Sequence, residues 1–397
     1  MVTRRSFLAA AGTAALAVPF GRGLLGGTAS AAPSTCGLTL ANHGSAPVNA
    51  YITGREQGTG RLTLLRADST PYYPPSPSAP QTPLPVDCSI PVGAGGAADL
   101  TLGQMYAARI YFVKNDKLDF YVNPGPALVE PAFANPADSN YLKTWSFCEF
   151  TFNPAQLFAN ISYVDLLTAL PIGLDLAGDS AHTVAPAPAG AADAVADALV
   201  AQKNADGQPW DRLVIRNGGG GVLRVIAPQG YMANNPGAFS SYWDGYVGRV
   251  WDKYAGTDLN VDLQGGRGVF TGRVTGGVLA FNDGSTFARP ASKDVFTCND
   301  GPFANNPSDS DIKKGLLARI AAAFNRSTIL SSADQPNGTL ESDYYKDPTT
   351  DHWARIVHAH TPIGYAFPYD DVCPDGQPDV SGAAVDGNPR RLTVTVG

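Results

Sequence analysis

Hydrophobic and polar positions alternate along much of this chain with a period of two, the signature of strands with one buried face. The sharpest case runs from Trp145 to Pro171, WSFCEFTFNPAQLFANISYVDLLTALP. Trp145, Phe147, Glu149, Thr151 and Asn153 fall on one side of a strand, and Ser146, Cys148, Phe150 and Phe152 on the other. The second set reads as a core face. The first mixes aromatic rings with a carboxylate, a hydroxyl and an amide, which suits a sugar-binding surface. After a connection holding Pro154, a second run, Ile161 to Asp165, brings another carboxylate. Pairing the two runs as a hairpin centred near Leu157 would set Glu149 and Asp165 on one face.

The same reading gives two strands in Cys36 to Thr53 joined by a turn at His43-Gly44-Ser45, and further strands at Ala97–Leu102 and Ala107–Phe112. Pro71 to Pro85 is a Pro-rich surface loop, and Asn123-Pro124 and Asn135-Pro136 mark more loops. Beyond Pro171 the texture changes. Helical spacing appears in Gly190–Lys203, Phe239–Tyr254 and Asp311–Asn325. The last has Asp309 or Ser310 as cap and Leu316, Leu317, Ile320 and Phe324 as its apolar face. Asn217–Gly221 lacks a following Gly-Lys-Ser/Thr and leads into a strand, so it is a hairpin turn and not a phosphate loop. Small strands follow at Leu259–Leu263, Gly268–Val274 and Gly277–Phe281, and Leu392–Val396 is a terminal strand.

Composition narrows the class. With 397 residues the prior is about two domains, and 43 Gly, 32 Pro and only 16% charged residues suit a strand- and turn-rich exported protein. A net charge of −7 with no basic run after the N-terminus argues against nucleic acid as partner. Thr3-Arg4-Arg5-Ser6-Phe7-Leu8, the Ala/Leu-rich run after it and Ala29-Ser30-Ala31 read as a twin-arginine signal peptide over 1–31. Glycines and Arg22 interrupt that run, so a membrane anchor is not expected. The mature chain then starts near Ala32, exported folded, extracellular, with no membrane partner. Of five cysteines, none has zinc-ligand spacing. Export permits disulfides, with Cys298–Cys373 and Cys36–Cys88 as candidate pairs and Cys148 as the buried free thiol.

Two carboxylates facing one cleft are the minimum for glycoside hydrolysis, one protonated and one ionised. Spacing alone reads Glu149 and Asp165 as easily as ordinary charges on a solvated sheet. His358 and His360 would need a nucleophilic Ser for a hydrolase triad, and no Gly-x-Ser-x-Gly elbow exists.

Glu149-Phe150-Thr151, then Ile161-Ser162-Tyr163-Val164-Asp165 and Pro171, resembles the acidic-cleft segment of thaumatin-like proteins. With Trp145, Cys148, Phe152-Asn153-Pro154 and Asn160 included, it resembles more closely the bacterial β-1,3-glucanases of glycoside hydrolase family 64. Ala108-Arg109-Ile110-Tyr111-Phe112 is similar to the thaumatin-like Gly-Arg-Ile-aromatic strand, with Ala108 in the place of glycine. Tyr365 to Asp371 is similar to the closing segment of those proteins.

The resemblance implies a mostly β chain with α+β character. A thaumatin-like β-barrel or sandwich domain (32–180, closing over 356–397) would carry an inserted mixed α/β domain (181–355), with a wide cleft between them. It implies inverting cleavage of β-1,3-glucan of the laminarin or curdlan type, with Glu149 as general acid and Asp165 as general base, no metal and no cofactor. A monomer releasing short oligosaccharides, laminaripentaose among them, is the expectation. Thr151, Asn153 and Tyr163 are candidates for sugar hydroxyls, Trp145 or Phe158 for a stacking face, and Arg109 for holding a carboxylate charged. Asp370 and Asp371 would add negative potential that keeps Glu149 protonated. The competing class is a non-catalytic glucan-binding protein. One tension stands: residues directly opposite in a hairpin have Cβ atoms ~5 Å apart, whereas inversion wants carboxyls ~6.5–9.5 Å apart.

Overall fold

The structure, a computed structural model, describes residues 31–377 and 380–397; the twin-arginine segment lies outside the described residues. Trp145–Phe152 is an inner strand of an eight-stranded sheet. It runs antiparallel to Met105–Lys114 on one side and to Leu157–Asn160 on the other. Val48–Glu56 lies beyond Met105–Lys114, and Ala383–Asp386, near the C-terminus, closes the far edge beside Leu157–Asn160.

A second, five-stranded sheet contains Thr35–Asn42, Ala97–Gly103, Ile172–Ala177, Ala181–Val184 and Arg391–Val396. Its last strand, Arg391–Val396, pairs parallel with Thr35–Asn42 and antiparallel with Ile172–Ala177, so early and late segments of the chain lock together. The inward residues of both sheets, among them Leu40, Val394 and Leu174 from one and Ile52, Ile110 and Phe152 from the other, belong to one hydrophobic core. Among the described residues neither sheet closes on itself, so of the expected barrel or sandwich the structure has two open sheets.

The pair of strands expected in Cys36–Thr53 forms, but it is not a hairpin: the first strand joins one sheet and the second the other. Asn42 explains the break. Its Oδ1 accepts from the Gly44 amide, and its Nδ2 donates to Ala46, Val92 and Gly93 carbonyls, steering the chain across.

The expected helices appear at Ala191–Asp206, Asp244–Gly256 and Asp311–Asn325, and His352–His360 adds another. Ser310 caps the third by accepting from the Lys313 amide at 3.1 Å, and all four residues of its apolar face are buried. Phe239 to Trp243 is a turn rather than the helix's first turn, because its rings pack inward on Trp210 and Phe296. Leu166–Thr168 pairs with Val222–Ile226, tying the stretch after Asp165 to the helical part of the chain. None of the described helices is long and apolar enough to cross a membrane.

The cysteine pairs are not formed. Cys36, Cys88, Cys148 and Cys298 are buried and Cys373 is half-buried; Cys298, for example, accepts from Asn325 Nδ2 at 3.1 Å. Cys148 is buried, and burial pushes its thiol up to about 12.

Candidate active site

Because Cys148 and Phe150 point into the core, the pleat turns Glu149 to the opposite face, where its side chain keeps 23% exposure. Arg109 is its cross-strand partner on one side. The guanidinium lies 4.5 Å over the Phe147 ring, donates from Nε to Glu149 Oε1 at 3.0 Å, and has Nη2 in ion-pair contact with the same oxygen at 3.0 Å. Its remaining nitrogen, Nη1, reaches Glu130 Oε2 at 3.1 Å. The Tyr111 hydroxyl donates to Glu130 Oε1 at 2.8 Å. Burial works against the charge of Arg109, yet Tyr111, Glu130, Glu149 and Asp165 together hold it well above its ordinary pKa.

The hairpin expected near Leu157 turns earlier. Asn153 to Gln156 form the turn, Phe152 faces Leu157, and Asn160, not Asp165, sits opposite Glu149. Ile161 to Asp165 is therefore not a strand. Its amides are used elsewhere: Ile161 donates to the Gly382 carbonyl and Tyr163 to that of Tyr365. The Asp165 carbonyl accepts from Ala227, and Gln229 Nε2 donates to the carbonyl of Val164. Asp165 thus enters the patch from a pinned loop, close enough for its charge to act on Arg109. Burial raises its pKa from 3.8 to about 6, opposed by Arg109 and reinforced by Glu149 and Glu130.

Thr151 and Phe158 are cross-strand partners beside the Glu149–Asn160 pair, and all four are part-exposed on one face. Asn160 Oδ1 is buried there without a hydrogen-bond partner. Other expected contacts are corrected. Trp145 is 1% exposed, donates from Nε1 to the Asn140 carbonyl and lies under Arg224, so it offers no stacking face. Tyr163 is 5% exposed; its ring packs against Gly364 so closely that a Cβ there would come within 2.3 Å. Asn153 shapes the hairpin turn, its Oδ1 accepting from the Ala155 and Gln156 amides.

Asp370 is not a cleft charge either. It is 1% exposed, and its oxygens accept from Arg326 Nη2 at 2.9 Å, His358 Nε2 at 2.7 Å and the Ala366 amide at 2.8 Å. Burial alone would raise its pKa, but His358 and Arg326 hold it below the ordinary value. Asp371 stays part-exposed, and its charge acts on Arg319. Tyr111 and Glu130 were not singled out from sequence. Tyr111 shares a strand face with Arg109, two residues on, and that periodicity is readable; Glu130, at the end of strand Ala127–Val129, carries no such signal.

A sequence profile described as β-1,3-glucanase matches residues 34–396. The chain is 30% identical over 359 residues to the glucan endo-1,3-β-glucosidase of Cellulosimicrobium cellulans, covering 87% of this chain. It is 29% identical over 359 residues to the enzyme of the same name from Arthrobacter sp. (strain YCWD3). It spans 62% of the length of each of these relatives. Among solved structures, a laminaripentaose-producing β-1,3-glucanase in complex with laminaritetraose superposes with a TM-score of 0.79 at 31% identity, over 91% of this chain and 98% of that one. A β-1,3-glucanase domain from Clostridium beijerinckii shares the fold, with a TM-score of 0.70 at 22% identity over 92% of this chain and 98% of that one.

Proposed function

The chain belongs to the β-1,3-glucanases of glycoside hydrolase family 64, and on that premise we propose that it hydrolyses β-1,3-glucan with inversion at the anomeric carbon. The observation that carries this reading is the convergence of Glu149 and Asp165 on Arg109 from different elements. Glu149 donates its proton to the glycosidic oxygen, and Asp165, ionised, takes a proton from the water attacking the other face of the ring. Asn160 occupies the position opposite Glu149, so the carboxyl separation is not tied to the ~5 Å of a cross-strand pair. Thr151 and Phe158 flank the acid and receive the sugar, one at a hydroxyl and one at a ring face.

The product reading is short oligosaccharides, including laminaripentaose, released by a monomer exported through the twin-arginine route. The domain reading is a discontinuous β domain with an inserted α/β unit. Strands Ala383–Asp386 and Arg391–Val396 completing sheets begun early in the chain support it.

Proton NMR of nascent reducing ends from linear β-1,3-glucan tests the mechanism. Initial α-anomer supports inversion. Initial β-anomer would recast Asp165 as a nucleophile, and binding without cleavage would leave a glucan-binding protein. The pH profile tests the roles. A base must be ionised, so kcat/KM is expected to fall about tenfold per pH unit below about 6, the value to which burial raises Asp165. A limb near 6 that instead falls toward alkaline pH would make Asp165 the acid.

A further inference from the structure

Glu130 is a third carboxylate in this patch, and the hydrolytic scheme does not use it. It follows strand Ala127–Val129 of a three-stranded sheet separate from the one that carries Glu149 and Arg109. Three donors nevertheless converge on it. Arg109 Nη1 reaches Oε2 at 3.1 Å, while the hydroxyls of Tyr111 and Thr53 reach Oε1 at 2.8 and 3.4 Å. Its side chain is 21% exposed, so these bonds are formed largely out of water.

The division of Arg109 is informative. Nε donates to Glu149 Oε1 and Nη2 lies 3.0 Å from the same oxygen, while Nη1 is committed to Glu130. A guanidinium at this distance, acting alone, favours the ionised carboxylate, the wrong state for a proton donor. A second carboxylate on the guanidinium's other edge offsets that preference.

We propose that Glu130 is a positioning residue for the acid–base pair: it fixes Arg109 against Oε1 of Glu149, and its charge offsets the guanidinium's pull on the carboxyls gathered around it. The proposal rests on the acid role given to Glu149. Arg109 from strand Met105–Lys114 and uncharged Asn160 from Leu157–Asn160 flank Glu149, Asp165 from the loop before Leu166 feels its charge, and Tyr111 and Glu130 lie beyond on Arg109. The neighbouring Cys148 thiol is buried on the core face and neutral.

The test is kcat/KM against pH on linear β-1,3-glucan for wild type, Glu130→Gln and Glu130→Asp, with carboxyl carbon NMR titrations of the same proteins. Glutamine still accepts from Tyr111 and Thr53 but removes a negative charge, so the remaining carboxyls release protons more easily. Both limbs are expected to move to lower pH by about 0.5–1.5 units, with activity at pH 7 down about tenfold and recovering in acid. Aspartate keeps the charge but draws it back from Arg109, and is expected to shift both limbs the same way by less. Unshifted limbs in the folded variants, with activity scaled down at every pH or unchanged, would overturn the proposal. The titrations separate its failure from failure of the glucanase reading. Even if wild type cleaves no glucan, Asp165, whose pKa the Glu130 charge helps to raise, is expected to titrate at lower pH in Glu130→Gln, and an unmoved titration overturns the role of Glu130.

Discussion

Replacing Glu149 by Gln is expected to lower kcat on linear β-1,3-glucan about 10³-fold, within the ~10²–10⁴ that positioned proton transfer supplies. The amide oxygen can still accept from Arg109 where Oε1 does now, so shape and glucan binding should persist. What is lost is a proton to give. Asp165→Asn is expected to cost kcat a similar factor and to gain stability. The sign follows from its raised pKa: folding favours the protonated form, so the penalty grows as pH rises from 3.8 through about 6 and is fully present at pH 7. Removing the charge should therefore stabilise the fold at pH 7 by something of order 1–3 kcal/mol, with no gain near pH 4. Urea midpoints at the two pH values check it. A variant less stable than wild type at pH 7 would mean that Asp165 is well solvated. Gain of stability with loss of activity is the pattern of a group held in an unfavourable state for its chemistry.

Asp370→Ala is expected to be the most destabilising single change among the acidic residues. Asp370 neutralises Arg326, which is itself buried, and holds His358 from the helix His352–His360. Arg326 also donates to the Asp370 and Val372 carbonyls, so the pair fastens the closing segment to the helix Asp311–Asn325. Truncating the carboxylate leaves a buried guanidinium without its counter-charge, a loss of about 3–5 kcal/mol. Denaturant midpoints at pH 7 measure it, and a change under about 1 kcal/mol would show that Arg326 finds another partner. The two halves of the knot respond to pH in opposite senses. The depressed Asp370 contributes above its ordinary pKa of 3.8 and is lost as pH falls through its folded value. Burial alone would lower His358, but Asp370 raises it above 6.5, so its contribution is full below 6.5 and fades as pH rises through the folded value.

The site was legible where it lay along a strand. Period-two alternation put Glu149 and Thr151 on one face and Cys148, Phe150 and Phe152 in the core, and the part-exposed and buried positions follow that split. It failed at the strand's start, where Trp145 and Phe147 share Glu149's face and yet are buried. Alternation assigns a side, and what covers that side depends on Arg224 and Arg109, which come from other strands. The apparent strand Ile161–Asp165 misled for a related reason. Its amides bond to Gly382 and Tyr365 and its Tyr163 ring packs on Gly364, some 200 residues later in the chain, and not on a hairpin partner.

By itself the sequence determined the local matters: strand periodicity, the capped helix Asp311–Asn325, the glycine turn before Val222, and a motif specific enough to identify the family. Those depend on side chains a few positions apart. Tertiary structure alone decided that Asn160 faces Glu149, that Asp370 is a buried tie and not a cleft charge, and that Glu130 shares Arg109 with Glu149. Each of these rests on burial and charge contributed by segments distant in sequence. The pKa of a carboxylate and its access to substrate are set by that surrounding, and no short window of the chain contains it.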